Sequence, residues 1–228
     1  MDQHKKELKE KAKVITVGVL VAILSFLLLV SVLWWITDEI VLENEMAFDT
    51  GIHKFLSAYT TPVTTKVMLA CTVLGSSQFL LPAYTLLAAL FFFYKRNSLL
   101  AIAVGAIGLL SRGLLLILKN IFQRTRPSDP VAQSFAGYSY PSGHSFSAFT
   151  FFGLVTYLIW KTNLHLLWKW TLSVMCLLLG ACVALSRVYL HAHFASDVIA
   201  GFCISMLWLG ISLWVLQRIR RSGKFEKL

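Results

Sequence analysis

The chain has 228 residues, of which 57% are hydrophobic and 14% are charged, and its mean hydropathy is +0.70. A chain this apolar is not expected to fold in water, and its length favours one domain, residues 1–228. Its formal net charge of +10 does not by itself indicate nucleic-acid binding. Basic residues that flank apolar segments are typical of membrane proteins, which keep Lys and Arg on the cytoplasmic side. No nucleic-acid partner is therefore predicted.

The first predicted element is a membrane span, residues 14–36. Five lysines precede it, as in a signal peptide, but the apolar core of a signal peptide has only about 7–15 residues. This run is longer, and no cleavage site with small residues follows it. Trp34 and Trp35 end the run, as aromatic residues do at a membrane interface. The segment is therefore predicted to be a retained anchor and first span.

Residues 37–65 form a polar and acidic segment after the first span. Apolar residues recur within it at helical spacing: Phe48, Ile52, Phe55, Leu56 and Tyr59. The pattern predicts either an amphipathic helix on the outer membrane surface or a loop with some apolar side chains. The sequence does not separate these two alternatives.

Five more spans are predicted, at 67–94, 98–118, 144–160, 166–185 and 194–216. A Gly-Ser-Ser-Gln break at 75–78 interrupts the first of them. Because the part after the break is too short to cross a bilayer alone, we predict one long, kinked helix there.

Six spans place both termini on the same side of the membrane, and the charge distribution predicts that this side is cytoplasmic. Lys and Arg then concentrate in the inner segments, and the acidic segment 37–65 lies outside, as the positive-inside rule requires. The basic residues of the two inner turns and the tail include Lys95, Arg96, Lys161, Lys169, Arg218, Arg220, Arg221 and Lys224. The predicted fold class is an all-α integral membrane protein with six transmembrane helices and cytoplasmic N- and C-termini.

Three polar motifs fall at the predicted outer ends of these spans. They are Lys119 with Arg126-Pro127, Pro141-Ser142-Gly143-His144, and Ser186-Arg187 with His193 and Asp197. Charges are costly beside a bilayer, so a cluster of them usually marks function. Three cations, two histidines and a carboxylate suit the binding of a phosphoryl group and its transfer to a histidine.

His193 and Asp197 are four residues apart, which would place them on one face at the start of a helix. A carboxylate bonded to one imidazole nitrogen fixes the tautomer and leaves the other nitrogen free to attack. The alternative is an Asp that caps the helix beside an interfacial His.

The second motif opens the fourth predicted span. Ser142 is a candidate N-cap, and Gly143 allows close backbone approach. Helix N-termini favour phosphate because of their unpaired N–H groups and positive dipole end. His144 would lie there as the proton donor to a leaving oxygen. A simple turn before a membrane helix would explain the Pro, Ser and Gly but not the His.

Lys119, Arg126 and Arg187 are predicted to bind the equatorial oxygens of a phosphoryl group, where fixed donors stabilise the transition state. Arg124, in the same loop as Arg126, is predicted to be positive decoration of the interface. Arg112 lies about 10 Å deeper than Lys119 at 1.5 Å per residue. It is predicted to snorkel toward the outer surface, with support of the site from below as the alternative.

No metal site and no disulfide are predicted. His191 and His193 are two residues apart and would point to different helix faces, and the nearby cations would repel a metal ion. The cysteines lie in apolar stretches without a CxxC pair, as small buried hydrophobic residues do. They are Cys71, Cys176, Cys182 and Cys203.

In this order and on this face, the three motifs resemble those of the type 2 phosphatidic acid phosphatase family of membrane lipid phosphatases. That family shares its site with the vanadium haloperoxidases. Its motifs are Lys, six residues, Arg-Pro; Pro-Ser-Gly-His; and Ser-Arg, five residues, His, three residues, Asp. Residues 119–127, 141–144 and 186–197 match them without departure.

The resemblance implies that His193 is the nucleophile and forms a phosphohistidine, that Asp197 orients it, and that His144 protonates the leaving alcohol. It also implies a set of residues that bind the phosphate: Lys119, Arg126, Ser142, Gly143 and Arg187. It implies no metal and no other cofactor.

By the same resemblance, the protein is expected in a bacterial cell membrane as a multi-pass phosphatase with its active site on the extracytoplasmic side. Its partners would be the bilayer and a phosphorylated membrane lipid, with no obligate protein partner. Phosphatidylglycerophosphate, converted to phosphatidylglycerol, ranks first; undecaprenyl diphosphate and phosphatidic acid are alternatives. A non-enzymatic anionic-lipid binder or transporter would not need both histidines and the Asp, and a haloperoxidase would not need six spans.

Overall fold

The computed structural model describes residues 2–43, 45–131 and 136–222, and side chains within these ranges from residue 17 onward except that of residue 39. All regular structure in the described chain is helical. The helices are α1 (Asp2–Trp35, continued by a π-helix at Ile36–Leu42), α2 (Ala47–Ser57), α3 (Pro62–Val73), α4 (Ser77–Ala89, continued by a π-helix at Leu90–Tyr94), α5 (Ser98–Phe122), α6 (Gly143–Trp160), α7 (Leu166–Tyr189) and α8 (Ala195–Arg221). Lys224 of the predicted basic tail lies outside the described residues.

Five helical segments of the described chain are long and apolar enough to cross a membrane. They are Val17–Leu42, Pro62–Tyr94, Ser98–Phe122, Leu166–Tyr189 and Ala195–Arg221. These segments agree with five of the six predicted spans. The remaining prediction, 144–160, corresponds to α6, a continuous helix of 18 residues that is not among the five segments. The protein is therefore an all-helical, multi-pass membrane protein.

The predicted span at 67–94 is present, but α3 and α4 form it as two helices rather than as one kinked helix. A turn that contains Gly75 separates them. A Cβ atom at Gly75 would lie 2.6 Å from Val183 Cγ1 and 3.0 Å from the His144 carbonyl oxygen. The turn thus lies against α6 and α7 at a position where only glycine fits without displacing its neighbours.

Helix α6 is the centre of the bundle, because α4, α5, α7 and α8 all contact it. Most residues of its first three turns are buried, as expected for a helix without a polar face. Glycines let the neighbouring helices approach closely. A Cβ atom at Gly180 of α7 would lie 2.8 Å from the Phe149 ring, and one at Gly201 of α8 would lie 2.9 Å from the Ser142 carbonyl oxygen.

The segment 37–65 was predicted to be either an amphipathic helix or a loop. The structure has a helix there, α2. Its apolar residues Phe48, Ile52 and Leu56 pack against buried residues of α7 and α8, while Phe55 is 62% exposed. Of the two alternatives, the structure therefore confirms the helix, and its position on the outer membrane surface stays a prediction. Most of the apolar stripe covers the ends of α7 and α8, because these ends carry complementary apolar side chains.

Candidate active site

His193 lies in the short turn between α7 and α8 and is almost completely enclosed, with 1% of its surface exposed. The backbone N–H groups of Ala192 and His193 donate to the Arg187 carbonyl oxygen at 3.1 and 3.2 Å. His191, which lies between the end of α7 and Ala192, adopts a left-handed backbone conformation with a φ of 51°. Since α8 begins at Ala195, His193 precedes the helix, and the expectation that it stands on the helix was wrong.

Asp197 nevertheless faces His193, as the spacing predicted. His193 Nδ1 lies 3.5 Å from Asp197 Oδ2, which is longer than a typical hydrogen bond of about 2.7–3.2 Å. The Ser139 hydroxyl donates to the same carboxylate oxygen and lies 3.4 Å from Nδ1. Asp197 Oδ2 also accepts from the Phe194 backbone N–H at 2.9 Å. The two alternatives for Asp197, helix cap and partner of His193, are therefore compatible.

The other ring nitrogen of His193, Nε2, faces Arg126, whose NH1 lies 3.2 Å away. A guanidinium can only donate, so Nε2 accepts and the proton of the neutral ring is on Nδ1, toward Asp197. Burial lowers the pKa of His193 to about 4, although its hydrogen bond to Asp197 and the charge of that residue raise it; the charges of Arg126 and Arg187 lower it further. At pH 7 the imidazole is therefore neutral, with a lone pair on Nε2.

A short stretch of loop, residues 137–139, holds two of the predicted phosphate-binding cations. Arg126 Nε donates to the Gly137 carbonyl oxygen at 2.9 Å, and Lys119 Nζ donates to the Tyr138 carbonyl oxygen at 2.5 Å. Burial lowers the pKa of the Arg126 guanidinium, which still stays charged because arginine is not deprotonated in proteins. Both charges are held in place by backbone, as electrostatic stabilisation of a transition state requires.

Arg187 and His144 lie beside these groups. Arg187 is 3% exposed, and its NH1 donates to Thr72 Oγ1 of α3 at 2.8 Å. His144 occupies the first turn of α6. The positive charges that act on its ring are those of Arg187, Arg126 and Lys119. His144 is thus within electrostatic reach of all three predicted cations.

The N-terminus of α6 carries the remaining two predicted residues. Ser142 is the N-cap, as predicted, but its hydroxyl lies 3.0 Å from the Ser145 hydroxyl and makes no capping hydrogen bond. The Ser142 backbone N–H donates to the Asp197 carbonyl oxygen at 3.0 Å, which joins the second and third motifs. A Cβ atom at Gly143 would lie 2.8 Å from Leu115 Cδ2 of α5. The three motifs, far apart in sequence, therefore converge at one end of the bundle.

Arg124 was predicted to decorate the interface, and this prediction was wrong. Its side chain is 6% exposed and binds two fully buried carboxylates: NH1 lies 2.7 Å from Asp197 Oδ1, and NH2 lies 2.8 Å from Asp49 Oδ2. Ser196 joins the same network through its hydroxyl, which donates to Asp49 at 2.6 Å. The Phe194 ring covers the guanidinium, with its centroid 4.3 Å from Arg124 Cζ. One carboxylate oxygen of Asp197 is therefore held by Arg124 while the other faces His193.

One sequence signal pointed to part of this network. Asp49 lies three and seven residues before Ile52 and Leu56, so it shares the apolar stripe of α2, and an acidic residue on such a stripe calls for a buried partner. No spacing rule links Arg124 or Ser139 to Asp197, because their contacts join loop residues to a distant helix.

A pair of stacked histidines lies next to the site. His53 of α2 stacks on His191 with ring centroids 4.5 Å apart and planes 1° apart, and His191 Nδ1 lies 3.0 Å from the Asp129 carbonyl oxygen. Burial lowers the pKa of His53, and electrostatic repulsion from His191 lowers it further.

Within the described residues, no group of three or more His, Cys, Asp or Glu is arranged to hold a metal ion. The four cysteines are free thiols.

Comparison with known protein families shows the family of this chain. A family model described as the PAP2 superfamily matches residues 97–221, a range that contains all three motifs. The chain belongs to the PAP2 superfamily. This result confirms the family predicted from the three motifs, and with it the prediction of a membrane lipid phosphatase.

Similar proteins of known name agree with this assignment. The chain is 31% identical over 178 residues to phosphatidylglycerophosphatase B of Bacillus subtilis (strain 168), a match that covers 76% of this chain and 85% of the relative. It is 25% identical over 192 residues to an undecaprenyl-diphosphatase of Sulfolobus acidocaldarius, covering 82% and 85% of the two chains. A crystal structure of a transmembrane PAP2-type phosphatidylglycerolphosphate phosphatase from Bacillus subtilis superposes with a TM-score of 0.73 at 27% identity, over 86% of this chain and 96% of that one.

Proposed function

We propose that this PAP2 protein hydrolyses phosphatidylglycerophosphate to phosphatidylglycerol through a phosphohistidine on His193. The observation that carries the proposal is the environment of the His193 ring. It is buried, its Nε2 lies 3.2 Å from Arg126, and its Nδ1 faces Asp197. This is the arrangement of a neutral nucleophile beside a phosphate-binding cation. Similarity to the Bacillus subtilis phosphatidylglycerophosphatase supports the choice of lipid.

In the first step, His193 Nε2 attacks the phosphorus of the terminal phosphate, and the bond from phosphorus to the glycerol oxygen breaks. The electron pair stays on that oxygen, which takes a proton from His144. The imidazole becomes cationic as the P–N bond forms, and the Asp197 carboxylate stabilises that charge across Nδ1–H. The residues proposed to bind the phosphoryl oxygens are Lys119, Arg126, Arg187, Ser142 and Gly143.

In the second step, water attacks the phosphorus while His144, now neutral, accepts a proton from it. The P–N bond breaks, its electron pair returns to His193 Nε2, and inorganic phosphate leaves. Both histidines are then in their starting protonation states. In both steps, the side-chain cations and the N-terminus of α6 stabilise the negative charge on the phosphoryl oxygens. We therefore propose no metal and no cofactor.

We further propose six membrane spans, with cytoplasmic termini and the site on the extracytoplasmic side. Helix α6 has 18 residues, about 27 Å at 1.5 Å per residue, which is close to the hydrocarbon thickness of about 30 Å. Because α6 is enclosed by other helices, it can cross while carrying polar residues that reduce its hydropathy. Its crossing places the site opposite the basic turns that contain Lys95, Arg96, Lys161 and Lys169.

Phosphate release by purified protein in EDTA tests the mechanism. We expect the wild type to be active and His193→Ala to lose activity by roughly a thousandfold or more. His191→Ala is the matched control, since that imidazole lies two residues away and is outside the proposed chemistry. Rapid mixing with lipid labelled in its terminal phosphate should trap acid-labile phosphate on the wild type and on His191→Ala but not on His193→Ala. Loss of wild-type activity in EDTA, restored by a divalent ion, would contradict the mechanism.

Undecaprenyl diphosphate is the second candidate substrate, because the chain is also similar to an undecaprenyl-diphosphatase. Offering it, phosphatidic acid and phosphatidylglycerophosphate separately to the wild type ranks the three lipids by kcat/KM. We expect phosphatidylglycerophosphate to rank first. Folded wild-type protein that releases phosphate from none of them would favour a lipid binder or transporter instead.

A further inference from the structure

We propose that Arg112 and the groove around it bind a second phosphate of the substrate, a glycerol phosphodiester, together with its acyl chains. This subsite would select phosphatidylglycerophosphate over lipids that carry a single phosphate. The inference rests on the phosphatase function proposed for the His193 site and names the part of the lipid that lies beyond the reacting phosphate.

The groove is an open cavity of about 550 Å³ between α4 and α5. Its lining on α5 runs from Ala101 to Leu115, a rise of about 21 Å at 1.5 Å per residue. One leaflet of the hydrocarbon core is about 15 Å thick, half of about 30 Å. The groove is therefore long enough for the acyl chain of a lipid in one leaflet, and aromatic and aliphatic residues such as Tyr84, Phe92 and Leu109 line it.

One end of the groove meets the candidate active site. Gly75 lines the groove, and a Cβ atom there would lie 3.0 Å from the His144 carbonyl oxygen. Leu115 also lines it, and its Cδ2 lies 2.8 Å from the Cβ position of Gly143. Because His144 is the proposed proton donor to the leaving oxygen, the leaving part of the lipid extends from this residue. The groove begins on that side.

Arg112 supplies a positive charge at this end of a mainly apolar groove. Its NH1 donates to Ser77 Oγ at 2.8 Å, and both residues line the cavity. A guanidinium has five N–H donors, more than one serine hydroxyl can accept, and its fork matches the oxygens of a phosphate. An ionisable residue at membrane depth is costly and usually marks a substrate path.

The position of Arg112 suits a phosphodiester that a glycerol unit separates from the reacting phosphate. It does not suit a phosphate joined directly to the reacting one, as in a lipid diphosphate. Ser77, the partner of Arg112, is two residues from Gly75, so the Cα atoms of Ser77 and Gly75 are within about 7 Å of each other. A Cβ atom at Gly75 would in turn lie 3.0 Å from the His144 carbonyl oxygen. In phosphatidylglycerophosphate a glycerol unit separates the two phosphates, which places the second one beyond the phosphate-binding cations. In a lipid diphosphate both phosphates share one bridging oxygen and fall among those cations. Phosphatidic acid has no second phosphate.

The test compares Arg112→Gln with the wild type on phosphatidylglycerophosphate and on phosphatidic acid in the same detergent micelles. We expect KM for phosphatidylglycerophosphate to rise roughly tenfold, the loss of one charge-assisted contact, while kcat changes little because the contact is outside the reacting groups. KM for phosphatidic acid should stay within about twofold of the wild type. Arg112→Lys should recover part of the loss.

Leu116→Gln is the matched control, because it places the same polar side chain in α5 at a position that is 55% exposed. We expect it to leave both KM values near those of the wild type. An equal rise of both KM values in Arg112→Gln, or no rise for phosphatidylglycerophosphate, would overturn the subsite and leave snorkelling as the role of Arg112. Failure of the proposed function would give a different result, because the wild-type protein would then not hydrolyse phosphatidylglycerophosphate at all. That result would overturn both proposals.

Discussion

Asp197 is held on both sides of its carboxylate, and this explains how a buried anion can serve a buried histidine. Arg124 binds Oδ1 at 2.7 Å, while Ser139 and the Phe194 backbone N–H donate to Oδ2. Asp49 shares the same guanidinium at 2.8 Å. A buried carboxylate needs such partners because desolvation would otherwise favour its neutral form. Arg124 is therefore a positioning residue for the proposed reaction.

Arg124→Leu should leave Asp49 and Asp197 buried without their cation. Breaking a buried ion pair by removing one partner costs about 3–5 kcal/mol, so we expect a lower unfolding temperature in detergent together with a large fall in kcat. The double variant Arg124→Leu with Asp49→Leu should recover part of the stability, because one orphaned charge is gone, but not the activity. If Arg124→Leu keeps the unfolding temperature and the kcat of the wild type, Arg124 only decorates the interface and does not position Asp197.

The pH dependence of kcat/KM, which reports the free enzyme, should show the low pKa of His193. The neutral ring is the reactive form, and burial lowers its pKa to about 4. The loss of activity that comes from protonating His193 should therefore be absent as pH falls through 6.5, the ordinary pKa of histidine, and should appear only near pH 4. Arg126 lowers this pKa and Asp197 raises it. The acid limb should consequently move to higher pH in Arg126→Gln and to lower pH in Asp197→Asn.

Both of those variants will have weak residual activity, because their side chains also belong to the proposed site. The position of the acid limb, rather than the rate, is the readout. Shifts in the same direction for Arg126→Gln and Asp197→Asn would contradict the assignment of that limb to His193.

At the scale of helices, the N-terminus of α6 is held between α5 and α8. Leu115 of α5 lies against Gly143, and Gly201 of α8 lies against the Ser142 carbonyl oxygen. The glycines permit backbone approach that a side chain would prevent. The distance between the Ser142–His144 segment and the Asp197 segment therefore depends on residues outside all three motifs.

Gly201→Ala tests this packing. Its Cβ atom would lie 2.9 Å from the Ser142 carbonyl oxygen, which is backbone and has little room to move. We expect a lower unfolding temperature and lower kcat, even though Ala favours a helix over Gly by about 0.5–1 kcal/mol. Gly210→Ala in the same helix is the matched control, since nothing lies within 4 Å of its Cβ position. A Gly201→Ala protein as stable and active as Gly210→Ala would show that α8 can shift without cost.

At the scale of the whole molecule, the proposed topology is decided by whether α6 crosses the bilayer. If it does, the loop that carries Arg126 and the turn after α6 lie on opposite faces. Ser128 in the loop and Asn163 in the turn are both exposed. Each can therefore carry a reporter group.

Ser128→Cys should react with a membrane-impermeant maleimide on intact cells, and Asn163→Cys should react only after lysis. Unsubstituted protein sets the baseline, because the chain has four cysteines of its own. Labelling of both positions from the same side would contradict a crossing by α6. The reverse pattern would place the site on the cytoplasmic side.

The amino-acid sequence was enough to predict the helical class and the approximate positions of five spans. It also named eight candidate site residues, whose roles stay predictions. Apolar runs of membrane length depend on local composition alone, and the motif residues keep a fixed spacing along the chain. Tertiary structure decided what depends on contacts between distant segments. It paired Arg124 with Asp49 across 75 residues, placed Arg112 beside Ser77 across 35 residues, and turned the apolar stripe of α2 onto α7 and α8. No periodic pattern encodes such contacts, because they arise only when the helices pack against one another.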